Sequence, residues 1–217
     1  MKDLQRVGGL AALVEAATYI VGFAIGLIFL SDYLAGDMSA AETVKYIVDK
    51  EGTLYAWYTI IYVVNGIFLV VLAQSLAARF RSEVPSLAQT GAVFGFIWAG
   101  LVLASGMITL IGFGTLTDLH AESPTDAALV WESLSTVQDG LGGGIEIVGG
   151  LWIVLVSWAA HVTQRLPRFL NYLGVLAGIA GIATIAPPLA DAAAVFGLGM
   201  IAWFAWAGVV MLRDEGA

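Results

Sequence analysis

One acid in this chain sits in a setting that could do chemistry. Gly142, Gly143 and Gly144 precede Ile145, Glu146, Ile147 and Val148, and Gly149 and Gly150 follow. At 3.6 residues per turn, Gly142, Gly143, Gly149 and Gly150 stand three or four positions from Glu146, so the carboxyl would look out over a bare groove on one helical face. An ionisable group at bilayer depth costs about 2.5 kcal/mol or more, and it turns by default toward a bundle interior, a partner, a proton or an aqueous cavity. Asn65, Glu15, Tyr62 and Asp139 are the candidates to join it. Counted from the basic ends of their helices at 1.5 Å per residue, Glu15 lies roughly 12 Å deep, Asn65 roughly 21 Å and Glu146 roughly 22 Å, with Asp139 near the opposite boundary. Tyr62 is one turn from Asn65, and Glu15 shares a face with Ala11, Ala12, Thr18, Tyr19 and Gly22. Asp139 and Glu146, seven residues apart, point nearly the same way and would form a ladder with Glu15 if the first and fourth helices meet. No lysine or arginine falls at comparable depth, so these acids either hold protons at neutral pH or share a bound cation or proton path. A packing role stands beside the ligand-binding one, with Glu146 a protonated acid hydrogen-bonded to Asn65 or to a backbone carbonyl.

Other chemistry finds few residues. The chain has no cysteine, which excludes disulfides, thiolate ligands, iron–sulfur clusters and thiol catalysis. His120 belongs to one connection and His161 to the far end of the fourth helix, so they do not clamp one haem, and neither has a metal-ligand neighbour at usable spacing. No phosphate loop, nucleophile elbow, zincin helix or dinucleotide fingerprint is present, and Gly140 to Gly144 lacks both the lysine and the preceding strand of a phosphate loop. The expectation is a protein with no cofactor, no metal and no catalytic residue that can be named.

The elements that must position Glu146 follow from hydropathy. The chain is 59% hydrophobic and 12% charged, with a mean hydropathy of +0.89, far from the quarter or so of charged residues in a soluble domain. Six apolar runs are each long enough for the ~20 residues that cross a ~30 Å hydrocarbon core. They cover Val7 to Leu30, Leu54 to Ala78, Leu87 to Leu116, Leu141 to Ala160, Phe169 to Leu189 and Ala192 to Leu212. The expected architecture is all-α, a single six-helix transmembrane domain over residues 1–217. The first run follows Lys2 and Arg6 like a signal peptide, but exceeds the 7–15 residues of a signal core and is expected to be a retained helix.

Charge placement orients the bundle. Lys2, Arg6, Arg79, Arg81, Arg165, Arg168 and Arg213 flank the N-terminus, the second and fourth connections and the C-terminus, which six crossings put on one side, the cytoplasm. The opposite connections carry Asp32, Asp37, Glu42, Asp49, Glu51, Asp118, Glu122, Asp126 and Asp191 against only Lys45 and Lys50. A net charge of −8 so distributed argues against a nucleic-acid partner.

Within those acidic connections, Ser39 and Glu42 form a capping box, and Val44, Ile47 and Val48 recur at helical spacing, which describes a short amphipathic helix on the membrane surface. Ser123, Pro124 and Asp126 start another helix, whose stripe Val130, Leu134, Val137 and Leu141 runs into the glycines. Unbroken from Pro124 to His161 it would be roughly 57 Å long, so a break or bend is expected at Gly140 to Gly144. Gly22 and Gly26, Gly91 and Gly95, Gly140 and Gly144, and Gly174 and Gly178 are small-xxx-small pairs that allow close helix approach. Trp57, Trp131, Trp158 and Trp206 fit interfacial anchors, and Trp98, Trp152 and Trp203 fit the interior.

The turn Leu166-Pro167-Arg168-Phe169-Leu170-Asn171-Tyr172-Leu173-Gly174-Val175-Leu176-Ala177-Gly178 resembles the LPRxLGxLxxxxG turn of a prokaryotic family of six-helix membrane proteins catalogued as a domain of unknown function. The stretch from Gly36-Asp37-Met38-Ser39-Ala40-Ala41-Glu42 through Glu51-Gly52 resembles that family's first loop. The resemblance implies six helices in a prokaryotic cell membrane and offers no catalytic residue to carry over. Two functions stay open. One is a binding or conducting module for a proton, a cation or a small ligand; the other is a non-catalytic accessory subunit that docks in a larger membrane complex or on a second copy of itself. A membrane enzyme ranks behind both, because no nucleophile or metal site accompanies the acids.

Overall fold

The structure is a computed structural model that describes residues 2–143 and 146–213; it is all-α, with no strand among the described residues. Helix α1 spans Lys2–Phe29, α2 Ser31–Ala35, α3 Ala40–Asp49, α4 Glu51–Tyr58 and α5 Asn65–Phe80. They are followed by α6 Pro85–Glu122, α7 Pro124–Gln138, α8 Ile147–Thr163, α9 Arg168–Ala183 and α10 Ala192–Arg213. Four stretches are long and apolar enough to cross a membrane: Asp3–Phe29, Glu51–Phe80, Pro85–Glu122 and Ala192–Arg213. Helices α8 and α9 are apolar but shorter.

The long helices form a closed ring. α1 packs on α5, α5 on α6, α6 on α8, α8 on α9, α9 on α10, and α10 back on α1. Its interior is filled by Leu69, Leu72, Trp152, Trp203, Phe204 and their neighbours, all buried. Two crossings bring backbones together. A Cβ on Gly150 would lie 2.6 Å from the Gly178 carbonyl oxygen, and one on Gly178 would lie 2.7 Å from that of Gly150. Gly9 and Gly208 oppose each other in the same way between α1 and α10, at 3.1 and 2.9 Å. Any side chain at these points would push the helices apart.

A second core caps one end of the ring. At 38 residues α6 is roughly 57 Å long, against a hydrocarbon core of ~30 Å, so it runs well past the ring. Pro124 at the first turn of α7 and Ser123 as its N-cap reverse the chain, with Ser123 Oγ accepting from the Asp126 N–H at 3.5 Å. The capping box of α3 is formed, with Glu42 accepting from the Ser39 N–H at 2.9 Å. Its apolar face does not lie open. Val44 and Ile47 are fully buried with Leu54, Phe113, Leu116 and Ala127 of the neighbouring helices, because α3 packs on α6 and α7.

The basic end is tied by side chains. Arg79 on α5 donates to Gln5 on α1 at 3.0 Å and to the Arg165 carbonyl at 2.9 Å. Arg165 in turn donates through Nε to Glu83 at 2.7 Å. At this end α8 stops at Gln164, which takes a positive φ of 54° before Pro167 starts the next helix.

Regular α-helix gives way at two places. Thr59–Val64 forms a π-helical turn between α4 and α5, and it presses the Tyr62 Cβ to the place where Gly106 of α6 has no side chain. Asp139–Gly143 forms a second π-helical turn at the end of α7, where glycines weaken the helix by about 1 kcal/mol each. Gly144 and Ile145, the centre of the glycine-flanked run, lie outside the described residues.

Candidate functional site

A cavity of about 220 Å³ lies where the ring meets its cap. Helix α1 contributes Thr18, Tyr19, Gly22 and Phe23 at helical spacing. Helix α4 contributes Trp57, the π-helical turn Ile61 and Tyr62, α5 Asn65 and α6 Trp98 and Val102, and Leu34 of α2 covers one edge. Glu146, immediately before α8, completes the wall. Helical spacing explains most of this, since Tyr19 and Phe23, Trp57 and Ile61, and Trp98 and Val102 are each four residues apart and share a face.

Beneath the cavity lies a polar knot. Asn65, 3% exposed, donates through Nδ2 to Glu15 Oε2 and to Thr18 Oγ1, the latter at 3.0 Å. Thr18 returns its hydroxyl proton to the Glu15 carbonyl at 2.8 Å. Glu15 is fully buried, and its other carboxyl oxygen has no hydrogen-bond partner among the described residues. Below this level the ring is packed apolar core, with Ala11, Ala12, Leu69 and Leu72 at 1% exposure or less.

The walls are fixed by hydrogen bonds and ring contacts. Trp57 donates its indole N–H to the Gly22 carbonyl at 2.8 Å, which bridges α4 to α1 across the cavity wall. Tyr62 accepts from Gln138 of α7 at 2.8 Å and stacks on Tyr58 at 5.2 Å. Tyr58 meets Tyr33 hydroxyl to hydroxyl at 3.1 Å. The pKa of the Tyr33 phenol, in the short α2, is pushed up to about 12, chiefly by burial. Trp98 is held edge-on and tilted between Trp152 and Phe196, at 5.4 and 6.0 Å. Trp57, expected as an interfacial anchor, is therefore a buried wall residue, 8% exposed.

Glu146 is not in mid-helix. Its φ of −96° and ψ of 27° make it the residue that enters α8. Its N–H donates to Thr184 Oγ1 at 2.9 Å, Thr184 donates on to the Gly181 carbonyl at 2.7 Å, and its own carbonyl accepts from Gly150 at 2.8 Å. On its Gly149–Gly150 side the groove expected around it is filled. A Cβ on Gly149 would strike Trp98 and Phe196, and Gly150 abuts α9. What holds Glu146 is thus the end of α9 through Thr184, while the residue itself is part of the cavity wall.

Of the five candidate residues, Glu146, Asn65 and Tyr62 line the cavity together, and Glu15 stands one hydrogen bond behind Asn65. Asp139 is exposed, in the π-helical turn, and is not part of the lining. The structure adds Phe23, Leu34, Trp57, Ile61, Trp98 and Val102, which sequence reasoning missed. The i, i+4 pairing of aromatic and aliphatic residues on three segments was the available signal. No lysine, arginine or histidine is among the lining residues. Among the described residues no group of three or more His, Cys, Asp or Glu side chains could hold a metal ion.

The chain belongs to the family described as a domain of unknown function (DUF4386), whose sequence pattern matches residues 7–212. That range includes both the Leu166–Gly178 turn and the Gly36–Gly52 stretch on which the resemblance rested. No curated protein and no solved structure matches the chain.

Proposed function

We propose that this is a six-crossing protein of a prokaryotic cell membrane whose cavity binds a proton, a cation or a small ligand through Glu146 and Asn65, with Glu15 behind them. The observation that carries the reading is the convergence of Glu146, Asn65 and Tyr62, from three separate elements, on one cavity of about 220 Å³. An engineered cavity of about 150 Å³ suffices for a benzene-sized ligand, so this one has room for an organic molecule. Binding fits better than conduction, because the ring below the Glu15–Asn65 knot is closed by apolar core. Helices α8 and α9, at roughly 25 Å each, are short for a ~30 Å core, and a local thinning of the bilayer accommodates such a mismatch. Six crossings place Lys2, Arg6, Arg79, Arg165 and Arg168 on one side, which the distribution of basic residues makes cytoplasmic.

The natural absence of cysteine gives a direct test. Val102→Cys places a lone thiol on the cavity wall, and Leu72→Cys places one in the core below it. In proteoliposomes, Val102→Cys is expected to react with N-ethylmaleimide at least tenfold faster than Leu72→Cys. Ligands from a panel of inorganic cations and small organic molecules should slow that reaction, with the protection lost in Glu146→Gln. Equal reaction of the two thiols, or protection indifferent to Glu146→Gln, would overturn the reading.

A further inference from the structure

We propose that the ligand is a membrane-partitioning organic ammonium ion, held with its charged head at Glu146 and its apolar body against the aromatic walls. The inference rests on the cavity being a ligand site and names what that site selects. Charge is the first argument. Glu146 borders the space and no basic side chain does, so an anion would meet a carboxyl with no compensating donor of positive charge. The rings are the second. Tyr19, Phe23, Trp57, Tyr62 and Trp98 all face the same volume, and aromatic faces around a desolvated ammonium attract it through their quadrupoles.

An inorganic cation fits less well. Hard divalent cations take about six or more oxygen ligands, whereas most of the lining is aromatic or aliphatic, and its side-chain oxygens are confined to Glu146, Asn65, Thr18, Tyr19 and Tyr62. Two of those are already engaged, Thr18 with Asn65 and Glu15, and Tyr62 with Gln138. Asn65 spends its N–H donors on Glu15 and Thr18. Its side-chain carbonyl oxygen is the acceptor left for an ammonium N–H.

The way in is apolar. Phe23 and Leu34, the most exposed large apolar residues of the lining, are 40% and 46% exposed. They continue into Leu27 and Ile28 on the outer surface of α1, at 68% and 69%. A solute entering past these side chains crosses an apolar rim, which favours a lipophilic amine over a hydrated metal ion. Scaled from a benzene-sized ligand in about 150 Å³, the volume suits roughly nine non-hydrogen atoms.

Phenethylamine, 2-phenylethanol and phenylacetate share that size and differ in charge. The test measures how each slows N-ethylmaleimide labelling of Val102→Cys in proteoliposomes, with and without Glu146→Gln. Phenethylamine should protect at a concentration about tenfold lower than 2-phenylethanol, phenylacetate should not protect, and Glu146→Gln should erase the preference. Should Glu146→Gln fail to give a monodisperse protein, Glu146→Asp should keep the preference and Trp98→Leu should weaken phenethylamine protection several-fold. Equal protection by the alcohol, or a preference that survives Glu146→Gln, would overturn the cation assignment and leave a neutral-ligand cavity. Fast labelling with no protection by any of the three would also overturn it. A Val102→Cys thiol no more reactive than Leu72→Cys would instead remove the cavity itself.

Discussion

Asn65→Leu is the substitution from which the architecture beneath the cavity expects the clearest energetic signature. Leucine has the same branched shape and is somewhat larger, so the change removes hydrogen bonds without opening a void. Two are lost, to Glu15 and to Thr18. Hydrogen bonds between membrane helices average about 0.6 kcal/mol and reach about 1.7, so two bonds alone are worth about 1–3 kcal/mol. Glu15 sets the upper part of that range, because it is fully buried and one of its oxygens is already without a partner. Losing Asn65 leaves both oxygens unsatisfied, which costs about 1–3 kcal/mol for a buried polar group. The expectation is a destabilisation of about 2 kcal/mol or somewhat more. Replacing both partners should recover much of it, since removing a donor and its acceptor together leaves nothing unsatisfied. Reversible unfolding in mixed micelles, run as a cycle with Asn65→Leu, Glu15→Leu and the double variant, measures this directly. A coupling of at least about 1 kcal/mol is expected. Additive single effects, or an Asn65→Leu cost below about 0.5 kcal/mol, would refute the knot as a structural unit.

Single contacts give three further expected outcomes. Gly150→Ala should destabilise by about 1–3 kcal/mol, because its Cβ would sit 2.6 Å from the Gly178 carbonyl; Gly91→Ala, whose nearest neighbour is at 3.9 Å, should be neutral or mildly stabilising in the same unfolding assay. Trp57→Phe keeps a ring but loses the 2.8 Å bond to the Gly22 carbonyl, so it should cost about 1 kcal/mol and weaken phenethylamine protection of Val102→Cys. At the cap, hydrogen bonds from Ser39 hold the Glu42 carboxyl below its usual value. A carboxyl depressed in the folded state stabilises it above the unfolded value, near pH 4, and that contribution fades as pH falls through the folded value. Ser39→Ala should therefore flatten the acid limb of thermal stability between about pH 3 and 5; an unchanged limb would contradict the capping box.

The sequence made the helices legible where hydropathy and capping speak without tertiary help. The first and last long helices, the capping box at Ser39 and the helix start at Ser123 all stand where those signals put them. Illegible were the features that one helix imposes on another. The π-helical turn at Thr59–Val64 answers to a glycine on a different segment, Gly106, and no local pattern announces it. Glu146 read as a mid-helix acid because its neighbours are apolar, yet its backbone is captured by Thr184, 38 residues away in the chain. Trp57 illustrates the same point: its position near a helix start fits an interfacial anchor, and only the carbonyl of Gly22 makes it a wall. Asn65 and Tyr62 were recoverable because they share a helical stripe. Phe23 and Trp98 could be read only from their i, i+4 partners Tyr19 and Val102, and Leu34 not at all, because it joins the site only through the placement of α2.

The most direct measurement is an experimental density map of the protein in a lipid nanodisc with phenethylamine present. Ligand density is expected between the Glu146 carboxyl, Asn65 and the Trp98 ring, with no lipid tail in that space. Acyl-chain density running along Glu146, with its carboxyl turned away from Asn65 and Tyr62, would contradict a ligand site there.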